Sequence, residues 1–183
     1  MDKIQQIDFK ILKYIYLHRY HDADNFLIYL SNHTTFVTIA VFLLIVLYNR
    51  YKKIFTWYQI ILGIVSILLA ALSTNIIKIL AERLRPHDVY NLFYVPVDAG
   101  GYSFPSGHTT EVFALALVIH YLFKNKFLTI LFYLWAIIIA YTRMAFAAHF
   151  PTDILGGIFV GSLAVYFIFY KQEEINHLFN KYQ

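Results

Sequence analysis

Residues 55–80 read FTWYQIILGIVSILLAALSTNIIKIL, an apolar run whose single charge is Lys78. A helix that crosses the hydrocarbon of a bilayer needs ~20 apolar residues, within a range of about 17–25, and this run is long enough. It has no polar face, which suits lipid rather than water as the surrounding solvent. A helix buried all round in a soluble bundle shows the same pattern, so the neighbouring sequence has to decide.

Four further apolar stretches flank it: 34–48 (with 26–33 leading in), 109–123, 127–141 and 154–170. Two of them, 109–123 and 127–141, are short for a span unless flanking residues join in. Composition agrees with a bilayer, since 60% of the chain is hydrophobic and only 14% charged, against ~25% charged in an average soluble domain. The expected fold is all-α: a polytopic membrane helix bundle of five spanning helices. Residues 4–20 place Ile4, Ile7, Ile11, Leu12 and Ile15 at helical spacing against Asp8, Lys10, Lys13 and Arg19. That pattern fits a helix lying in the interface and, equally, a helix packed on the bundle. The expected organisation is one domain, 1–183: an interfacial helix over 1–24, a spanning core over 25–170 and a cytoplasmic tail over 171–183. The N-terminus has no signal-peptide pattern. The chain has no cysteine, which excludes disulfides and thiolate metal sites. Its formal charge of +4 reads, in such a chain, as affinity for phosphate or headgroups and not for nucleic acid.

Charges close to apolar sequence default to a functional site, and here they gather between Lys78 and Asp153. Lys78 and Arg85 are seven apart, so on one helix both would share a face; Arg83 would turn away from them, as a headgroup-facing or solvated charge, and Pro86 would end that helix. Arg grips phosphate oxygens through a planar fork and Lys acts as a point charge. Both residues could equally be snorkelling at a membrane edge. Pro105-Ser106-Gly107-His108 opens the next apolar stretch, where free amides at a helix start and a glycine admit an anion. His108 stands where it could protonate a departing alkoxide. Glu111, one turn further, should pair with a nearby cation or with His108. Then come Thr142-Arg143 and His149-Phe150-Pro151-Thr152-Asp153. Asp153 would fix the tautomer of His149 and leave its other nitrogen free to attack phosphorus, while Arg143 neutralises the charge that develops. The loop 87–104 between these pieces is rich in Tyr and Phe, which suits either the lipid boundary or a cover over the site.

Lys78-x6-Arg85-Pro86, Pro105-Ser106-Gly107-His108 and Arg143-x5-His149-x3-Asp153 together resemble the three signature motifs of the type 2 phosphatidic acid phosphatase superfamily. The match covers roughly residues 25–170. One departure is visible, Thr142 where the family usually has Ser. The resemblance implies dephosphorylation without a metal or other cofactor, through a phosphohistidine. It makes His149 the nucleophile, Asp153 its orienting partner and His108 the general acid. Lys78, Arg85, Ser106, Gly107 and Arg143 would bind the phosphate. The expected substrate is a lipid phosphate in the bilayer, from the undecaprenyl pyrophosphate, phosphatidylglycerophosphate, phosphatidic acid or lipid A class. Vanadate-dependent haloperoxidases share the motif pattern, but those relatives are soluble. A lipid-phosphate transporter or binding protein is the reading from outside the enzymes, though transport has no need of a nucleophilic histidine beside an aspartate.

Arg50, Lys52 and Lys53 in the 49–54 turn, Lys124 and Lys126, and Lys171 and Lys181 in the tail share one face if there are five spans. The positive-inside rule puts that face in the cytoplasm. The site then opens to the periplasm or exterior of what reads as a bacterial inner or plasma membrane, although Lys3, Lys10, Lys13 and Arg19 sit on the opposite side from this bias.

Overall fold

Where the sequence is apolar the chain is helical, and no strand occurs among the residues that the computed structural model describes, 3–181, with side chains through residue 172. The helices are α1 (Lys3–Leu17), a short 3-10 turn (His21–Ala23), α2 (Asp24–Asn32), α3 (Thr34–Lys52), α4 (Trp57–Ala81), α5 (Pro86–Val89), α6 (Gly107–Phe123), α7 (Lys126–Ala145) and α8 (Pro151–Lys181). Four segments are long and apolar enough to cross a membrane by length and composition: Thr34–Lys52, Trp57–Val89, Lys126–Ala145 and Pro151–Gln172. Gly107–Phe123 is apolar but shorter. Part of the expected tail is helical, because α8 continues to Lys181; Met1, Asp2, Tyr182, Gln183 and the side chains beyond 172 lie outside the described residues.

The shortest of these apolar helices is the hub. Val112, Ala114, Leu115, Ala116 and Val118 of α6 are fully buried, and α3, α4, α7 and α8 all pack against it. The closest approach is to α8, where glycines replace side chains: a Cβ at Gly157 would sit 2.7 Å from the Ser106 carbonyl oxygen, and one at Gly161 would strike the Thr110 carbonyl. The helices around this hub turn apolar side chains outward. Leu43 and Leu47, Leu68 and Leu72, Leu134 and Phe159 are all exposed, a surface matched to lipid rather than water.

Caps set the helix ends. Thr56 and Gln59 form a reciprocal capping box that starts α4, and Asn125 Oδ1 accepts from the Leu128 amide at 3.1 Å to start α7. The 49–56 and 124–126 turns lie at one end, joined by an edge-on contact between the rings of Phe55 and Phe123, 4.9 Å apart. The loops carrying the charged motifs lie at the other.

α1 packs on the bundle, one of the two arrangements foreseen for it. Its inner face buries Asp8 and Leu12 against α7 and α8, while Ile4, Ile7, Ile11 and Tyr14 form an exposed apolar stripe.

Candidate active site

The first motif is not one continuous helix. α4 ends at Ala81, with Glu82 in the left-handed conformation (φ 44°) donating its amide to the Lys78 carbonyl. Residues 82–85 leave the helix, Arg85 is extended, and Pro86 begins α5 rather than terminating α4. Lys78 and Arg85 therefore reach the site from two different segments. Asp88 closes this turn by accepting the Arg85 amide at 3.1 Å.

Arg85 is buried and fully engaged. Its Nε donates to the Gly101 carbonyl (2.8 Å), Nη2 to Gly100 (2.6 Å) and Nη1 to Ala148 (2.9 Å). Nη1 also meets His149 Nε2 at 3.2 Å. A guanidinium has no lone pair to offer, so Nε2 is the acceptor and the ring proton lies on Nδ1. Nδ1 faces Asp153 Oδ2 at 3.6 Å, slightly too long for a hydrogen bond. Ser103 sits beside them: its hydroxyl donates to Asp153 Oδ2 and lies 3.5 Å from His149 Nδ1. The Phe150 amide adds a second donor to that oxygen at 2.8 Å. His149 itself is buried, and burial first, then the Arg85 and Arg143 guanidiniums, push its pKa from 6.5 to about 3, against the raising influence of Asp153. The imidazole is thus neutral, the form that can act as a nucleophile.

Arg83, expected to turn away as a headgroup-facing or solvated charge, instead ties this pair to α1. Its Nη1 contacts Asp153 Oδ1 at 2.5 Å and Thr152 Oγ1 at 2.6 Å, and its Nη2 contacts Asp8 Oδ2 at 2.6 Å. Asp8 also accepts the Thr152 amide at 3.0 Å and the Thr152 hydroxyl. A carboxylate cannot stay buried unpaired, and the bridging guanidinium satisfies two of them at once.

Across the cup, Arg143 is almost completely buried. Nη1 donates to Ser31 Oγ (2.7 Å) and Nη2 to the Asp98 carbonyl (2.6 Å), while Nε has no partner among the described residues. Lys78 Nζ donates to the Tyr102 carbonyl. The 87–104 loop therefore does more than sit at a boundary: the carbonyls of Asp98, Gly100, Gly101 and Tyr102 collar three cations, and its own Phe93 and Val97 are buried. Gly101 takes φ 65°, a backbone that a Cβ would strain. Thr142 lies under Arg143; its hydroxyl donates to the Ile139 carbonyl at 2.7 Å and lies 3.2 Å from Ser31 Oγ.

The third side is the start of α6. The Ser106 amide donates to the Asp153 carbonyl at 3.0 Å, which fixes this helix start to the start of α8. Ser106 Oγ accepts from Thr109 Oγ1 at 2.9 Å, so its own proton is left to donate. A Cβ on Gly107 would meet nothing within 4 Å, and the amides of this first turn have no intrahelical partner. Gly107, His108 and Lys78 line one cavity, and Arg143, Arg85 and Lys78 all act electrostatically on His108. The residues singled out from the three motifs thus gather at one end of the bundle, with Lys78, Gly107 and His108 lining its cavity. Among the described residues no group of three or more His, Asp or Glu gathers as a metal site would. Glu111 pairs with neither a cation nor His108; Thr35 Oγ1 donates to its Oε2 at 2.8 Å.

Sequence reasoning passed over Asp8, Ser31, Ser103, Thr152 and the α8 glycines. Asp8 stood among the polar positions of residues 4–20 and Thr152 inside the third motif, with no role read for either.

A sequence model described as the PAP2 superfamily matches residues 59–176. This chain belongs to that superfamily. It is 34% identical over 156 residues to a lipid A 4'-phosphatase of Porphyromonas gingivalis, covering 80% of this chain and 64% of the relative. To a lipid A 4'-phosphatase of Bacteroides thetaiotaomicron it is 30% identical over 141 residues, 72% of this chain and 63% of that one. The chain thus spans a little under two thirds of the length of these relatives. Its fold matches the crystal structure of a PAP2-type phosphatidylglycerolphosphate phosphatase from Bacillus subtilis with a TM-score of 0.79 at 23% identity, over 96% of this chain and 89% of that one. Within the PAP2 match, α4 to α8 carry all the motif residues, whereas Asp8 lies outside it.

Proposed function

We propose that this protein is an integral-membrane lipid phosphatase that hydrolyses a phosphate monoester or diphosphate of a lipid through a phosphohistidine, without a metal. The observation that carries the reading is the Arg85–His149–Asp153 chain: a buried, neutral imidazole has its Nε2 lone pair turned to the Arg85 guanidinium and its Nδ1 proton turned to a carboxylate. Membership of the PAP2 superfamily and the names of the relatives support it.

In the first step His149 Nε2 attacks phosphorus in line. Arg85, which borders Nε2, shifts onto a phosphate oxygen; Lys78, Arg143 through its Nε, Ser106 and the Gly107 amide take the others. Such preorganised donors act where charge develops. The P–O bond to the leaving group breaks, and His108, which holds a proton once the anionic phosphate offsets the three cations around it, gives that proton to the leaving oxygen. In the second step water loses a proton to His108 and attacks phosphorus, the P–N bond breaks, and inorganic phosphate leaves with His149 restored. The crowd of cations supports metal independence, because it repels a divalent ion.

We place α3, α4, α6, α7 and α8 as five spans with α1 at the interface. The basic turns at the end opposite the site support a cytoplasmic position for them, and hence a site on the periplasmic or exterior side of a bacterial membrane.

The test is phosphate release from lipid phosphates by purified protein in detergent with EDTA present. His149→Ala abolishes turnover and His108→Ala lowers it by ~10²–10⁴-fold. Full activity in the His149 variant, or activity lost to EDTA and restored by a divalent metal, refutes the mechanism.

A further inference from the structure

α3 and α4 both lean on α6, and between them a cleft of about 380 Å³ runs down from Lys78, Gly107 and His108. Its deeper wall is mostly apolar, including Ile39, Ile67 and Ala71. One charged side chain interrupts that wall, Glu111. Its Oε2 is held by Thr35 at 2.8 Å, but its Oε1 is buried and has no partner among the described residues. The Thr38 hydroxyl also lies beside this carboxyl group, but its proton is directed to the Thr34 carbonyl at 3.2 Å. A buried acceptor left unmade costs free energy, and one lining a ligand cleft has an evident remedy in the ligand.

Its depth says which part of the ligand. Glu111 follows His108 by three residues on α6, about 4.5 Å further along the helix and on nearly the same side. His108 serves the leaving oxygen, so the atoms one or two bonds beyond that oxygen pass Glu111. We propose that Glu111 is a specificity residue that accepts a hydrogen bond from a hydroxyl or amide N–H on the carbon next to the phosphorylated one. The substrate class is then a lipid phosphate built on a polyol or acylamino sugar, in preference to a prenyl phosphate, whose chain carries no donor there. Thr35 is the positioning residue that aims the carboxyl group. This inference rests on the phosphatase reading above.

Two monophosphates separate the possibilities: an acylated glucosamine phosphate lipid, and the same lipid with the donor next to the phosphate ester replaced by hydrogen. Wild-type protein is expected to favour the first by ~10–100-fold in kcat/KM, since a site built around a hydrogen bond rejects the analogue lacking it. In Glu111→Leu that ratio falls tenfold or more. In Glu111→Gln, which keeps an acceptor oxygen, more of it survives. A wild-type ratio within twofold of one overturns the inference without any variant. So does a Glu111→Leu protein that slows on both lipids alike. Release from neither lipid, nor from a prenyl phosphate, by wild-type protein refutes the phosphatase reading itself, and this inference with it.

Discussion

The Asp8→Asn substitution tests whether α1 belongs to the catalytic apparatus. Asp8 is 1% exposed and divides Arg83 with Asp153: one guanidinium arm reaches Asp8 Oδ2 at 2.6 Å and the other reaches Asp153 Oδ1 at 2.5 Å. Asparagine keeps an oxygen for the Thr152 amide but offers Arg83 no charge. The guanidinium then rests wholly on Asp153, drawing it from the imidazole proton that already stands 3.6 Å away. One charge-assisted hydrogen bond is worth ~1.5–3 kcal/mol. If that loss falls on the step forming the phosphohistidine, kcat drops ~10- to 150-fold. KM should move little, because Asp8 touches none of Lys78, Arg85 or Arg143. The assay is steady-state phosphate release, normalised by active-site titration from the burst of phosphohistidine. A merely structural role reduces the number of active sites and the melting temperature but leaves kcat per site intact. Wild-type kcat per site in Asp8→Asn, or a loss confined to KM, refutes the reasoning.

Arg143→Lys removes a planar fork that reaches Ser31 and the Asp98 carbonyl at once; a point charge cannot do so, and kcat/KM should fall ~30-fold or more in the same release assay. Gly157→Val places a branched side chain where even a Cβ lies 2.7 Å from the Ser106 carbonyl oxygen, so overpacking should destabilise the protein by ~1–3 kcal/mol, read as a lower melting temperature in detergent. For pH, the His149 pKa is lowered from 6.5 to about 3, so the native ring stays unprotonated as pH falls from 8 to 5. Labelled-histidine NMR should show no His149 titration in that window, and a midpoint near 6.5 would contradict it. The sign for stability follows: below 6.5 the unfolded chain binds a proton that the native ring refuses, so stability declines toward pH 3.

The helices were legible because an apolar run of span length admits few alternatives, and the three motifs because their residue types are costly anywhere else in such a chain. The break after Ala81 was not. Nothing in Ala81-Glu82-Arg83-Leu84 forbids a further helical turn, and Pro86 marks a boundary without saying on which side of it the helix lies. Arg83 was misjudged for that reason, since its direction was deduced from a helix that had already ended. Ser103 and Asp8 become informative only in three dimensions, because a single Ser or Asp carries no spacing signature. The Glu111 carboxyl showed the reverse: its oddity was plain in the sequence, and only its partner, Thr35, needed the fold.

The glycines on α8 also bear on how the protein tolerates its surroundings. With Gly157 and Gly161 against the backbone of Ser106 and Thr110, the strut bearing His108 and the strut beginning beside His149 touch main chain to main chain. Thinning or thickening of the surrounding bilayer tilts the two as one rigid plank. The interval between the two imidazoles is therefore insulated from membrane composition, and lipid effects on this protein should fall on substrate entry rather than on phosphoryl transfer.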